Sequence, residues 1–156
     1  MSTTCVGIDP GKTGALAAFR DGEPVEWTPM PLAGKEVDWH AVTAWLRDLG
    51  EVKLVALEKV HSMPKQGVSS TFKFGINYGG LQAVLAALEI PCQLVTPQAW
   101  KKRVLAGTEK DKAAAIAHCR RRWPSVSLLA TERCRTPHDG IADALCIAQL
   151  AWEMSR

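Results

Sequence analysis

Four carboxylates stand where the chain's own pattern gives them chemical use: Asp9, Glu58, Asp139 and Asp143. Asp9 closes the apolar run Val6-Gly7-Ile8, and Pro10 and Gly11 turn the backbone at once. Glu58 closes a second apolar run, Leu54-Val55-Ala56-Leu57, in the same way. An acid at the carboxyl end of a strand is held on a rigid element and faces the space left by the following loop. Asp139 and Asp143 are four residues apart, so on a helix they share a face one turn from each other. Like charges at that spacing repel by roughly 0.2–0.5 kcal/mol, a cost that a divalent cation removes. Asp143 also lies inside an Ala-, Leu- and Ile-rich helix, where a partly buried carboxylate needs a partner. Carboxylates without Cys partners suit Mg²⁺ or Mn²⁺ rather than zinc. Two such ions side by side activate water and stabilise the leaving oxygen in phosphodiester hydrolysis. Taken singly, each acid has a plainer role: Asp9 as a turn residue or part of a phosphate loop, Glu58 as a strand end, Asp139 as a helix cap.

The remaining pattern supplies a scaffold for these acids. Ala15-Leu16-Ala17-Ala18-Phe19 is a second apolar run, and after the turn Asp21-Gly22 a third centres on Val25-Glu26-Trp27. Connections this short join antiparallel neighbours, so the first third reads as a three-strand meander. Asp38 is a good N-cap ahead of Trp39, Val42, Leu46 and Leu49, which recur at helical spacing until Gly50. Residues 59–70 carry Pro64 and Gly67 and read as a loop, followed by a long helix with Tyr78, Leu81, Leu85 and Leu88 on one face. Gln93-Leu94-Val95 is a fifth strand, and Thr96-Pro97 opens a short helix through Trp100 that Gly107 ends. Thr108-Glu109-Lys110-Asp111 resembles a capping box with Asp in place of Glu, and it predicts the start of a basic helix that Pro124 terminates. After a loop over 125–137, a final helix from about His138 turns Ile141, Leu145, Ala148 and Trp152 inward. The order β-β-β-α-β-α-β-α-α-α predicts an α/β fold with a mixed five-stranded sheet, a three-strand antiparallel meander plus two parallel strands, flanked by helices. A right-handed crossover sets the fourth strand parallel to the first and beside it, so Asp9 and Glu58 emerge together at one edge.

At 156 residues, one domain over 1–156 is expected, large enough to bury a core without disulfides. The five cysteines are odd in number and scattered through apolar segments, which reads as reduced thiols; no Cys-x-x-Cys pair supports a zinc site. No apolar run reaches membrane-spanning length and no signal segment is visible at the start, so a cytoplasmic protein is expected. The net charge of +3 is modest, but its distribution is uneven. Lys101, Lys102, Arg103, Lys110, Lys112, Arg120-Arg121-Arg122, Arg133 and Arg135 crowd into one stretch and point to a polyanion. The three consecutive arginines are a weaker candidate surface, because successive helix positions spread around the cylinder. A second mixed segment, from His61 to Gly75, is polar, basic and aromatic together and includes Lys65, Phe72, Lys73 and Phe74.

Gly7-Ile8-Asp9-Pro10-Gly11, Leu57-Glu58 and Ala142-Asp143-Ala144-Leu145-Cys146-Ile147-Ala148 resemble the RuvC family of Holliday-junction resolvases, including its bacteriophage members. Thr96-Pro97-Gln98-Ala99-Trp100-Lys101-Lys102, with Lys110-Asp111-Lys112 after it, resembles that family's basic region, and the correspondence covers nearly the whole chain in order. The resemblance implies an RNase H-like fold, a homodimer, and Mg²⁺- or Mn²⁺-dependent paired nicking of four-way DNA junctions with two ions per active site. It implies Asp9, Glu58 and Asp143 as metal-binding catalytic acids. The family's fourth acid or histidine lies three residues before the last acid, where this chain has Gly140; Asp139 is favoured over His138 as its replacement. Lys110 and Lys112 are implied near the scissile phosphate, where an ammonium stabilises developing charge. Lys65, Lys73, Lys101, Lys102 and Arg103 are implied DNA contacts, and Phe72 or Phe74 an aromatic wedge at the junction centre. The helix that starts there is implied at the dimer interface, with Gly75, Gly79 and Gly80 allowing close approach. A branch-migration motor is a candidate partner, and the implied setting is the bacterial cytosol or a phage-infected host cell. Three other readings share parts of the pattern: an RNase H-like nuclease that trims ribosomal RNA precursors, a sugar-kinase or actin-like ATP-binding domain, and a non-catalytic nucleic-acid module. The strand-ending Glu58 and the basic Trp100 region favour the resolvase over the first. One domain where two are usual argues against the second, and intact acids argue against the third.

Overall fold

The structure, a computed structural model, describes residues 1–61 and 63–156. Three strands open the chain, β1 (Thr4–Asp9), β2 (Ala15–Arg20) and β3 (Glu23–Pro29), and they pair antiparallel in sequence order. A short hairpin of two-residue strands, β4 (Leu32–Ala33) and β5 (Glu36–Val37), leads to α1 (Trp39–Asp48). Strand β6 (Val52–Glu58) then pairs parallel to β1, and β7 (Cys92–Val95) parallel to β6. The sheet order is β3-β2-β1-β6-β7, the mixed five-stranded arrangement that the element order predicts.

The helices divide between the two faces. On one lie α1 and α2 (Val68–Ala87), whose Val42, Leu46, Leu81 and Leu85 pack with Val6, Ile8, Val55 and Leu57 of the sheet. On the other lie α3 (Pro97–Val104), α4 (Lys112–Arg122) and α5 (Asp139–Met154), packed on Cys5, Ala17, Phe19 and Ala56. Alternate residues of β1 therefore serve opposite cores, as the two-residue period of a strand requires. Helix α5 is buried along most of its length, with Ile141, Leu145 and Ala148 inaccessible and Trp152 only partly covered. It runs across β1 so closely that a Cβ at Gly7 would collide with the backbone of Ala144 and Ala148. A glycine on the strand and alanines on the helix permit that contact. No helix among the described residues is long and apolar enough to cross a membrane.

Two local expectations are corrected. Helix α2 begins at Val68, so the loop after Glu58 ends at Gly67 rather than Ser70. Thr108 does not cap α4: its hydroxyl accepts from Lys110 N (3.1 Å) and donates to Leu105 O (2.7 Å), closing a turn. The cap is Asp111, whose carboxylate accepts from Ala114 N at 2.8 Å, and the backbone reaches it through a left-handed Lys110 at φ 59°. The β4–β5 hairpin has no counterpart in the sequence reading.

Candidate active site

Strand geometry brings the first two acids together. The parallel ladder pairs Ile8 with Leu57, so the next residues, Asp9 and Glu58, leave the sheet side by side. On the far side of β6, Glu58 pairs with Val95, and the chain passes from β7 directly into α3. Thr96 caps that helix through Ala99 N (3.1 Å), which fixes the direction in which Trp100 enters the core. Trp100 is fully buried, and its indole Nε1 donates to Glu58 Oε2 at 2.6 Å. Sequence reasoning missed this contact, which spans 42 residues and depends on the trajectory of α3.

The other two acids arrive on α5. His138 is the N-cap, its Nδ1 accepting from Ile141 N at 3.1 Å, while Asp139 occupies the first helical position. Asp139 is half exposed, and its Oδ2 pairs with Lys112 Nζ at 3.2 Å. Of the two candidates for the fourth position, His138 uses its Nδ1 to cap the helix, and Asp139 directs its carboxylate to Lys112. Gly140 explains why neither occupies the next position. A side chain there would meet Thr13 O at 2.7 Å and the backbone of Gly14 at 2.9 Å. The first loop lies directly against the start of α5, and no acid fits between them.

The acids share one field. Burial raises Asp9 well above the usual carboxylate range, with Glu58, Asp143 and Asp139 adding to the rise and Lys101 opposing it. Burial likewise pushes Asp143 up to about 6; Glu58 and Asp139 raise it further, Lys101 and Lys112 work against them. Glu58 is raised by burial and restrained by the Trp100 hydrogen bond and by Lys101. Asp9 therefore senses the other three acids and Asp143 senses Glu58 and Asp139, and Lys101 is the cation common to Asp9, Glu58 and Asp143. Lys101 also lies over the Trp100 ring, its Nζ 5.5 Å from the centroid.

These carboxylates form an all-oxygen donor set, which matches a hard divalent cation. Their mutual repulsion and burial are what such a charge would relieve. Among the described residues, no three His, Cys, Asp or Glu side chains stand close enough to hold an ion in the conformation described.

The basic candidates separate. Lys101, Lys102 and Lys110 line a cleft of about 470 Å³ with Pro97 and Gln98, and Lys112 joins the acids through Asp139. Arg103 turns away, its Nε donating to Glu153 Oε2 at 2.9 Å near the far end of α5. Lys65 is exposed in the loop before α2, with its backbone in the left-handed region at φ 66°. Lys73 pairs with Glu36 of the β4–β5 hairpin at 3.9 Å. Phe72 and Phe74, two residues apart and therefore about 200° around the helix, face different surroundings. Phe72 is 69% exposed, whereas Phe74 is half-buried beside the first loop and the hairpin. Gly80 packs against the Trp39 ring of its own chain, which removes it from the expected interface; around Gly75 and Gly79 the space is open. Of the segment from His61 to Gly75, Ser62 lies outside the described residues.

No protein-family model and no curated protein sequence matches this chain. Its architecture does match solved structures. RuvC of Thermus thermophilus aligns with a TM-score of 0.62 at 20% identity, over 94% of this chain and 92% of that one. The complex of T. thermophilus RuvC with a Holliday junction substrate gives the same TM-score at 19% identity, over 94% and 90%. The yeast mitochondrial Holliday junction resolvase Ydc2 aligns at 0.62 with 13% identity, over 98% of this chain and 80% of that one. The chain thus has the RNase H-like fold of RuvC, with strand order 3-2-1-6-7.

Proposed function

We propose that this chain is a structure-selective endodeoxyribonuclease that resolves four-way DNA junctions by paired phosphodiester hydrolysis, using Mg²⁺ or Mn²⁺. The observation that carries the reading is the single electrostatic field joining Asp9, Glu58 and Asp143, acids from two adjacent strand ends and one helix, with Asp139 beside them. A cluster of buried carboxylates that Lys101 and Lys112 offset only in part costs stability, and function is the usual reason it persists. The fold it sits on is shared by T. thermophilus RuvC, solved in complex with a Holliday junction substrate, and by the yeast mitochondrial Holliday junction resolvase Ydc2.

Asp9, Glu58, Asp143 and Asp139 would hold the cations. When bound, these supply Lewis-acid activation of water and charge stabilisation at the phosphate. Trp100 holds one oxygen of Glu58, leaving the other free for a ligand. Lys112 keeps Asp139 oriented, and Lys101 offsets the acids' charge against an incoming phosphate. Lys101, Lys102 and Lys110 receive the DNA backbone along their shared cleft. Pairing of the two nicks calls for two active sites, which a homodimer provides. Val68, Phe72, Gly75, Ile76, Gly79, Ala83 and Ala86 follow one another at helical spacing down α2, all exposed. A second copy would cover that stripe, and the glycines admit a close helix approach.

The test compares a mobile four-way junction with a linear duplex of the same sequence, with and without Mg²⁺, and maps the nicks. Symmetric nicks in the junction alone, dependent on Mg²⁺, are expected. Equal cutting of the duplex, or symmetric cutting in a chelator, would overturn the reading.

A further inference from the structure

The three consecutive arginines of α4 separate in the structure. Arg122 lines a groove shared with Trp152 and Arg156, whereas Arg120 and Arg121 line another, of about 670 Å³, with Ala113, Ile116, Ala117 and Pro137. Ala113, Ala117 and Arg120 recur at four- and three-residue spacing, so they form one stripe down the outer side of the helix, with Ile116 flanking it. Pro137, at the end of the loop before α5, supplies the wall that α4 does not. Ala113, Ala117, Arg120 and Arg121 are exposed, and Ile116 and Pro137 are half-buried. Neither arginine forms an ion pair among the described residues, and no acid lines the groove. Basic residues in the last turn of a helix complement its dipole, which accounts for the charges but not for an aliphatic hollow beside them.

Two unpaired guanidiniums call for carboxylates or phosphates, either of which they hold through paired hydrogen bonds. The floor decides between the two. Ala113, Ala117 and Ile116 present methyl groups, which give nothing to a phosphate backbone and no aromatic face to a base. An aliphatic side chain, by contrast, buries apolar surface on them. The stripe from Ala113 to Arg120 is ~10 Å long at the rise of a helix, the span of about three residues of extended peptide. We propose that this groove docks a short acidic segment of a partner protein, with an aliphatic side chain seated on Ala113, Ala117 and Ile116 and carboxylates paired with Arg120 and Arg121. The inference goes beyond the nuclease reading and does not depend on it. It places the partner close to the acids, since Ala113 follows Lys112 in sequence and Pro137 lies two residues before Asp139.

A fluorescein-labelled peptide of alternating aspartate and leucine, followed by fluorescence anisotropy without DNA, tests the groove. Arg120→Glu reverses a charge at an exposed helix position, and Arg47→Glu, exposed on α1 at the other face of the sheet, is the charge-matched control. Ala117→Gln obstructs the floor and leaves the net charge unchanged. Arg120→Glu is expected to bind the peptide about 10-fold more weakly than the wild type, Ala117→Gln about 5-fold, and Arg47→Glu within about 2-fold, with circular dichroism confirming that each is folded. Serine in place of leucine in the peptide is expected to weaken wild-type binding by about 5-fold or more. No binding by the wild type, equal weakening by Arg120→Glu and Arg47→Glu, or equal affinity for the leucine and serine peptides overturns the docking site. A labelled linear duplex provides the contrast with a nucleic-acid surface: it is expected to bind Arg120→Glu and Arg47→Glu alike, and an Arg120-specific loss as large as the peptide's would reassign the groove to DNA. Junction nicking by the same preparations separates the two ideas. Arg120-dependent peptide binding without junction cutting would remove the resolvase and keep the docking site, while cutting without peptide binding would do the reverse.

Discussion

Asp9 feels three other carboxylates and lies deepest among them, so it is the residue whose charge the site most needs to neutralise. Asp9→Asn keeps the shape and removes the charge. It is expected to bind the junction as the wild type does while nicking at least about 100-fold more slowly in Mg²⁺, measured by gel retardation and single-turnover cleavage; unchanged cutting would refute the assignment. Asp143 makes a second, metal-free prediction. Its folded value of about 6 stands above its ordinary 3.8, so the folded state holds the proton more tightly. The destabilisation this causes is complete above pH 6 and disappears as pH falls towards the unfolded value, so apoprotein stability from this group rises on acidification. Asp143→Asn is therefore expected to be more stable than the wild type at pH 8 in a chelator, by up to about 2–3 kcal/mol, and equal to it near pH 4. Thermal unfolding across that range checks both ends. Asp9 and Glu58 were legible in the sequence because an apolar run ending on an acid before a turn is a local pattern, and the crossover rule then places them as neighbours. The obstruction at Gly140 was not, since it depends on how closely Thr13 and Gly14 approach α5.

At the scale of elements, α3 is a short helix with a positioning task. Its cap at Thr96 sets the entry of Trp100, and Trp100 holds Glu58 at the end of β6. Trp100→Phe keeps most of the buried ring and deletes the donor. A packing effect alone would lower thermal stability and leave metal dependence unchanged; loss of the hydrogen bond is expected to raise the pKa of Glu58 further and to raise the Mg²⁺ concentration for half-maximal nicking by about 10-fold. That increase should vanish in a Glu58→Gln background, where no carboxylate remains to position. Helical periodicity revealed α1, α2 and α5, because each buries a regular face, while the Thr96-Pro97 cap revealed α3 and short apolar runs bounded by turns revealed the sheet strands. The start of α4 misled because Thr108 and Asp111 are both good caps, and the left-handed Lys110 between them assigns the first to a turn and the second to the helix. The β4–β5 hairpin left no trace, since two residues per strand are too few to display alternation.

At the scale of the molecule, the unanswered surface is the outer face of α2. Val68 is 89% exposed, Phe72 69% and Ile76 48%, a continuous apolar stripe on a helix whose opposite side is firmly packed through Leu81 and Leu85. Single exposed apolar residues are ordinary; an aligned run of them with glycines between is the pattern of a helix that meets another helix. The position of the stripe matters as much as its composition, because the same helix lines a cleft beside Asp9 through Lys73 and Phe74. Pairing two chains along α2 would thus fix the two active sites relative to each other through one rigid element, which is what coordinated cutting of two strands demands. Phe72→Glu places a charge in the stripe without touching either core. The wild type is expected to sediment as a dimer and Phe72→Glu as a monomer with unchanged far-ultraviolet circular dichroism. The monomer should still bind the junction, but its two nicks should become independent events separated in time instead of paired. A monomeric wild type, or a Phe72→Glu dimer that still nicks in pairs, would show that the stripe serves another purpose and that the two cuts are coordinated through the DNA.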